Sequence, residues 1–103
     1  MECNWPVSWP KWKKDEYDYV VERDGGLCIV DLVMGCEIHH VLGRSKDEKE
    51  THNRNNMVVT CWNCHHGRAH GGESKVIRQI CVEYLIEVEG RSPRLDRWME
   101  RNV

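Results

Sequence analysis

The sequence predicts a small α+β domain in which two short strands and a cluster of metal-ligand side chains lie between flanking helices. Three observations lead there. Short β-type runs occupy 27–33, 36–41 and 57–60 in the middle of the chain. Apolar residues recur at helical spacing before them, over 10–23, and after them, over 74–89. Four of the six cysteines and all six histidines fall between positions 28 and 70, every histidine but the loop residue His52 in one of three tight clusters, a concentration of soft ligands that favours metal chemistry over packing.

Composition sets the outer bounds. With 103 residues there is room for one domain over 1–103, small enough to benefit from a metal staple. Phenylalanine is absent, so five tryptophans and three tyrosines must supply the aromatic packing. The formal net charge of -2 gives no global positive field, and nucleic-acid binding would need a local basic face or a bound cation. The amino terminus has no basic region followed by an apolar run, and no apolar run reaches membrane-spanning length. The expected setting is therefore cytoplasmic, without membrane attachment, and the cysteines are expected as thiols and metal ligands rather than as a disulfide framework.

The elements follow in order. Ser8-Trp9-Pro10 reads as a helix start, and Trp12, Tyr17, Val20 and Val21 give the helix over 9–23 a packing stripe. Asp24-Gly25-Gly26 ends it. Strand-like runs follow over 27–33 and 36–41, then a polar stretch, 42–50, without periodicity, read as an exposed loop. Arg44, Lys46, Lys49 and Arg54 are its candidate phosphate contacts. A strand over 57–60 leads to the knuckle Cys61-Trp-Asn-Cys64, and a short helix should run from there to Gly71-Gly72. Ser74 is the expected cap of a helix striped by Val76, Ile77, Ile80, Cys81, Tyr84, Leu85 and Val88. That stripe is read as core, with a homodimer face over 76–88 as the other use of so continuous a stripe. Ser92-Pro93 opens a last short helix, so that supporting helices cover 74–102.

Cys61-x2-Cys64 needs two more ligands to make a zinc site. Cys28 supplies one, but the position that would complete a second Cys-x2-Cys pair is Asp31. Either Cys36 swings in as the fourth thiolate, giving Cys28, Cys36, Cys61 and Cys64, or Asp31 ligates through oxygen. Structural zinc sites seldom use oxygen, so Cys36 is preferred. Cys3 and Cys81 read as ordinary thiols. Adjacent residues of a strand point to opposite faces, so His39 and His40 cannot share one core side. In a regular helix His66 and His70, four apart, share a face, whereas His65 and His70 diverge unless the turn is distorted.

Taken together, His39-His40, Asn56 with four residues between it and Cys61, and Cys61-x2-Cys64-His65 resemble the zinc-supported HNH endonuclease motif. The preceding Arg23-Asp24-Gly25-Gly26-Leu27-Cys28 resembles the usual approach to that motif, which here spans about 24–72. The resemblance implies a ββα-metal core, related to treble-clef zinc modules. It implies His40 as general base, Asn56 as the residue holding the loop that bears it, and His39 as first ligand of a catalytic ion. His65 occupies the family's last histidine. A further ligand four residues later would fall on Ala69, so His70 is displaced by one, and both His65 with His70 and His66 with His70 remain open.

The implied activity is hydrolysis of DNA phosphodiester bonds with a divalent cation (Mg2+, Mn2+, Ni2+ or Zn2+) at the active site and a structural zinc beside it. DNA is the implied partner. The chain is short and has no second DNA-binding motif, so weak specificity is expected, and a phage or host protein is a candidate partner. The alternative is a non-catalytic treble-clef module binding nucleic acid or protein, which would need the cysteines but neither His40 nor Asn56.

Overall fold

The computed structural model describes residues 3–69 and 71–102. In chain order it contains α1 (Lys11–Arg23), β1 (Glu37–His40), the single turn α2 (Glu48–Thr51), a 3-10 turn (Arg54–Asn56), β2 (Met57–Thr60), a π-helical segment (Asn63–Ala69), α3 (Ser74–Glu89) and α4 (Pro93–Asn102). β1 and β2 pair antiparallel, with Glu37 opposite Thr60 and His40 opposite Met57. No helix among the described residues is long and apolar enough to cross a membrane.

The two-residue alternation of the strands divides the interior into layers. Every residue of β2 is buried. Met57 and Val59 face α1, joining Tyr17, Val20 and Ile38, with Trp5 and Trp9 packed behind them. Val58 faces the other way, into a cluster with Val41, Ala69, Ile77, Cys81, Val82, Leu85 and Leu95 from α3 and α4. The expected stripe on α3 thus splits: Ile77, Cys81 and Leu85 are core, whereas Val76, Ile80 and Val88 are exposed. Ser74 is the first helical residue rather than the cap, which falls on Glu73 without a side-chain hydrogen bond. Ser92 does cap α4, its hydroxyl accepting from the Leu95 amide.

The run 27–33 is not a strand. Only Leu27 and Met34 make a β-bridge. Between them the chain turns back on itself, with the Leu32 amide donating to the Cys28 carbonyl and the Cys28 amide to the Val33 carbonyl. Of the apolar residues that suggested a strand, Leu32 and Val33 are exposed on this turn. Gly35 then passes so close to β2 that a Cβ there would lie 2.5 Å from the Thr60 carbonyl oxygen, which leaves room only for glycine.

Asp24 joins three elements. Its carboxylate is fully buried and accepts from Arg23 Nε (2.7 Å), from the Val59 amide (2.8 Å) and from the Tyr84 hydroxyl. Arg23 in turn donates to the carbonyls of Arg54 and Met57, so the end of α1 is locked to the start of β2. Removing one member of a buried, hydrogen-bonded ion pair leaves the other uncompensated, at a cost of about 3–5 kcal/mol. Asp24→Ala is accordingly expected to lower the unfolding free energy by about that much in a urea titration. A loss under about 1 kcal/mol would show that the carboxylate is not the tie described.

Candidate active site and metal centre

The first assembly is the knuckle pair. Cys28, Asp31, Cys61 and Cys64 bring one ligand atom each to within 4.8 Å of one another, a set that could hold a metal ion. The three sulfurs are buried together against Val30. Asp31 closes the open side, its Oδ2 lying 3.3 Å from Cys61 Sγ and 3.2 Å from Cys64 Sγ. Cys36, preferred as the fourth ligand on the rarity of oxygen in structural sites, is instead joined to Cys3 by a disulfide. Cys3 is therefore no ordinary thiol, and the expectation of unpaired thiols fails at these two positions. The physical reason is the turn at 28–34: it sets Asp31 where the second cysteine of a Cys-x2-Cys knuckle would stand, and it leaves Cys36 outside.

The electrostatics of this cluster favour a cation. Hydrogen bonds from Cys28 and then Cys64 hold the Asp31 carboxyl down to about 2. Burial pushes the Cys64 thiol up, and Asp31 beside it pushes the same way. A carboxylate held ionised thus sits against the Cys64 thiol, which resists ionising, and a divalent ion would reverse that balance by binding the thiolate directly. Three sulfurs and one oxygen at this spacing fit zinc by donor type.

The second assembly is built on β1, whose alternation sends Glu37 and His39 to one face and Ile38 and His40 to the other. On the first face the His39 ring packs edge-on against His65, with centroids 5.2 Å apart. Glu37 Oε2 lies 3.4 Å from His65 Nδ1 and 3.6 Å from His66 Nε2, and these three residues form a second group that could hold an ion. His66 is exposed and stacks on the exposed Trp62 at 4.9 Å. The segment carrying both histidines is neither broken nor tightened at Gly67. It is widened into a π-helix, a form that recurs at functional sites. His70 lies outside the described residues.

On the opposite face His40 Nε2 lies 3.1 Å from the Tyr17 hydroxyl and 3.3 Å from His52 Nδ1. Nδ1 of His40 makes no hydrogen bond among the described residues. Burial pushes the His40 pKa down to about 4, and nearby His52 and Arg44 act in the same direction, so the ring is neutral at neutral pH. The loop that follows is held by Asn56. Its Oδ1 accepts from the Leu42 amide (2.8 Å), and its Nδ2 donates to the carbonyls of Gly43 and Thr51 (3.0 Å each). Its backbone carbonyl also accepts from the Val41 amide. Of the expected phosphate contacts, Arg44, Lys46 and Lys49 are exposed. Arg54 is not available for that purpose: it is paired with Glu16 at 2.7 Å and stacked over Tyr19.

Sequence reasoning missed Glu37, Tyr17 and His52. Glu37 carried a usable signal, since two residues before His39 on a strand is the same face. Tyr17 read only as a packing residue and His52 only as a loop residue, and no local pattern links either to His40. Family models, curated proteins and solved structures give no match to this chain. What the site can do is therefore read from its own geometry.

Proposed function

We propose that the protein is a divalent-metal-dependent endonuclease of the HNH type that hydrolyses DNA phosphodiester bonds. The observation that carries the proposal is the two-sided strand β1. A neutral histidine with one ring nitrogen free of hydrogen bonds among the described residues stands on one face, and a carboxylate–histidine group that could hold an ion stands behind it on the other. A non-catalytic module has no use for that pairing.

Glu37, His65 and His66 would hold the ion, with His39, packed against His65, and His70 as further candidates from sequence. Once bound, a divalent cation supplies Lewis-acid stabilisation of charge on the phosphate oxygens. His40 Nδ1 takes the proton from the attacking water, which requires the neutral ring. Asn56 fixes the loop carrying Arg44 and Lys46, whose exposed side chains meet the flanking phosphates. By resemblance, the products carry 5′-phosphate and 3′-hydroxyl ends. Beside this site Cys28, Asp31, Cys61 and Cys64 would hold a structural zinc, which would anchor the end of β2 and the segment bearing His65.

Supercoiled plasmid incubated with the full chain and Mg2+, Mn2+ or Ni2+ should convert to nicked or linear forms, and excess chelator should stop it. Intact plasmid under all three metals, with the protein folded, would refute the assignment.

A further inference from the structure

Behind His40 lies a chain of polar groups that its role as a base does not by itself require. His52 is 3% exposed. Its Nε2 lies 3.2 Å from Glu48 Oε2, its Nδ1 2.8 Å from the Tyr17 hydroxyl and 3.3 Å from His40 Nε2. Tyr17 is itself 4% exposed, and its hydroxyl touches both imidazoles.

The proton positions follow from the one group that can only accept. The Glu48 oxygen 3.2 Å from His52 Nε2 is not in hydrogen-bond geometry with it, but a carboxylate oxygen that close repels a lone pair and so favours the His52 proton on Nε2. The pKa of His52 is lowered, chiefly by burial, so the ring is neutral and its Nδ1 is then an acceptor. The nearest donor to Nδ1 is the Tyr17 hydroxyl, which has a single proton. With that proton committed to His52, the Tyr17 oxygen offers His40 only a lone pair. His40 Nε2 therefore faces two acceptors, and it satisfies them only by being protonated. We infer that Glu48, His52 and Tyr17 are positioning residues that hold His40 in its Nε2–H tautomer and so leave Nδ1 as the nitrogen that accepts a proton. The inference rests on the reading of His40 as the base for its catalytic meaning, but the tautomer itself is a property of the folded protein.

Nitrogen-15 NMR of the metal-loaded full chain at neutral pH reads that tautomer directly, whether or not the protein cuts DNA. Wild type should show His40 protonated at Nε2. In His52→Leu the Tyr17 hydroxyl loses its acceptor and donates to His40 Nε2, so the His40 proton should move to Nδ1. Cleavage should fall by about 10²–10⁴-fold, the effect of a base held in the wrong tautomer. Adding Tyr17→Phe to His52→Leu removes the intruding donor, and the double variant should show both tautomers and recover part of the activity. His52→Asn, whose amide oxygen can stand where Nδ1 stood, covers the case in which His52→Leu does not fold and should keep the wild-type tautomer. Nδ1–H in wild type, or an unchanged tautomer in a folded His52→Leu, would overturn the inference. Expected spectra from a protein that leaves plasmid intact would uphold the relay and reject the nuclease.

Discussion

Cys61→Ala is expected to lose its metal and its cooperative fold together. Cys61 stands at the junction of β2 and the segment bearing His65, with its sulfur buried against Cys28 and Cys64. Zinc binding in finger peptides is worth about 10–16 kcal/mol, as much as the whole stability of a typical domain at about 5–15 kcal/mol. Elemental analysis of protein purified without added metal should find zinc in the wild type and little in the variant, and the variant's thermal transition should broaden or vanish. Two companions separate the candidate fourth ligands. Asp31→Ala should weaken zinc retention against a chelator, whereas Cys36→Ser should leave it near wild type. A Cys61→Ala protein that melts like the parent would sink the structural zinc.

His40→Ala should abolish most cleavage without unfolding the chain. General-base catalysis contributes about 10²–10⁴-fold, and the truncation removes only a half-buried ring at the end of β1. Divalent-ion affinity should stay near normal, because the group on the other face of the strand is untouched, while His39→Ala should weaken it. If both variants bind metal and still cut plasmid, the division of roles between the two histidines is wrong. The depressed pKa adds a dependence on pH. The folded value of about 4 lies below the ordinary 6.5, so the unfolded chain takes up this proton first as the pH falls. His40's contribution to stability is thus fully present above 6.5 and is lost as the pH falls through about 4. Acid unfolding midpoints of wild type and His40→Ala should differ in that direction.

The elements that could be read from sequence were those whose pattern is local. β2, α4 and the extent of α3 follow from a run of β-branched residues, a Ser-Pro start and a three-and-four stripe. The turn at 28–34 was misread because the exposed Leu32 and Val33 extend the apolar run of Ile29 and Val30 into the likeness of a strand, and nothing nearby reveals that they face solvent. In the site, the opposition of His39 and His40 follows from strand geometry alone. The grouping of Tyr17, His40 and His52 does not, since it joins α1, β1 and the loop after α2 across 23 and 35 positions of sequence. The fourth knuckle residue failed for a different reason. A preference drawn from ligand frequency was set against a spacing, and the backbone turn decided for the spacing.

The Cys3–Cys36 link places an order on how the molecule matures. It closes a loop across 33 positions, a constraint worth about 3–4 kcal/mol against the unfolded chain. Cys28, one of the three clustered thiols, lies inside that loop. Disulfides exchange by thiolate attack, so Cys28, Cys61, Cys64 and Cys81 are four internal nucleophiles able to capture either partner while the chain is unfolded. A cation that claimed Cys28, Cys61 and Cys64 first would remove them from the exchange, and the fold it supports would bury Cys81, leaving Cys3 and Cys36 to find each other. Metal loading before oxidation is therefore expected to yield a single covalent isomer, and oxidation before metal a mixture.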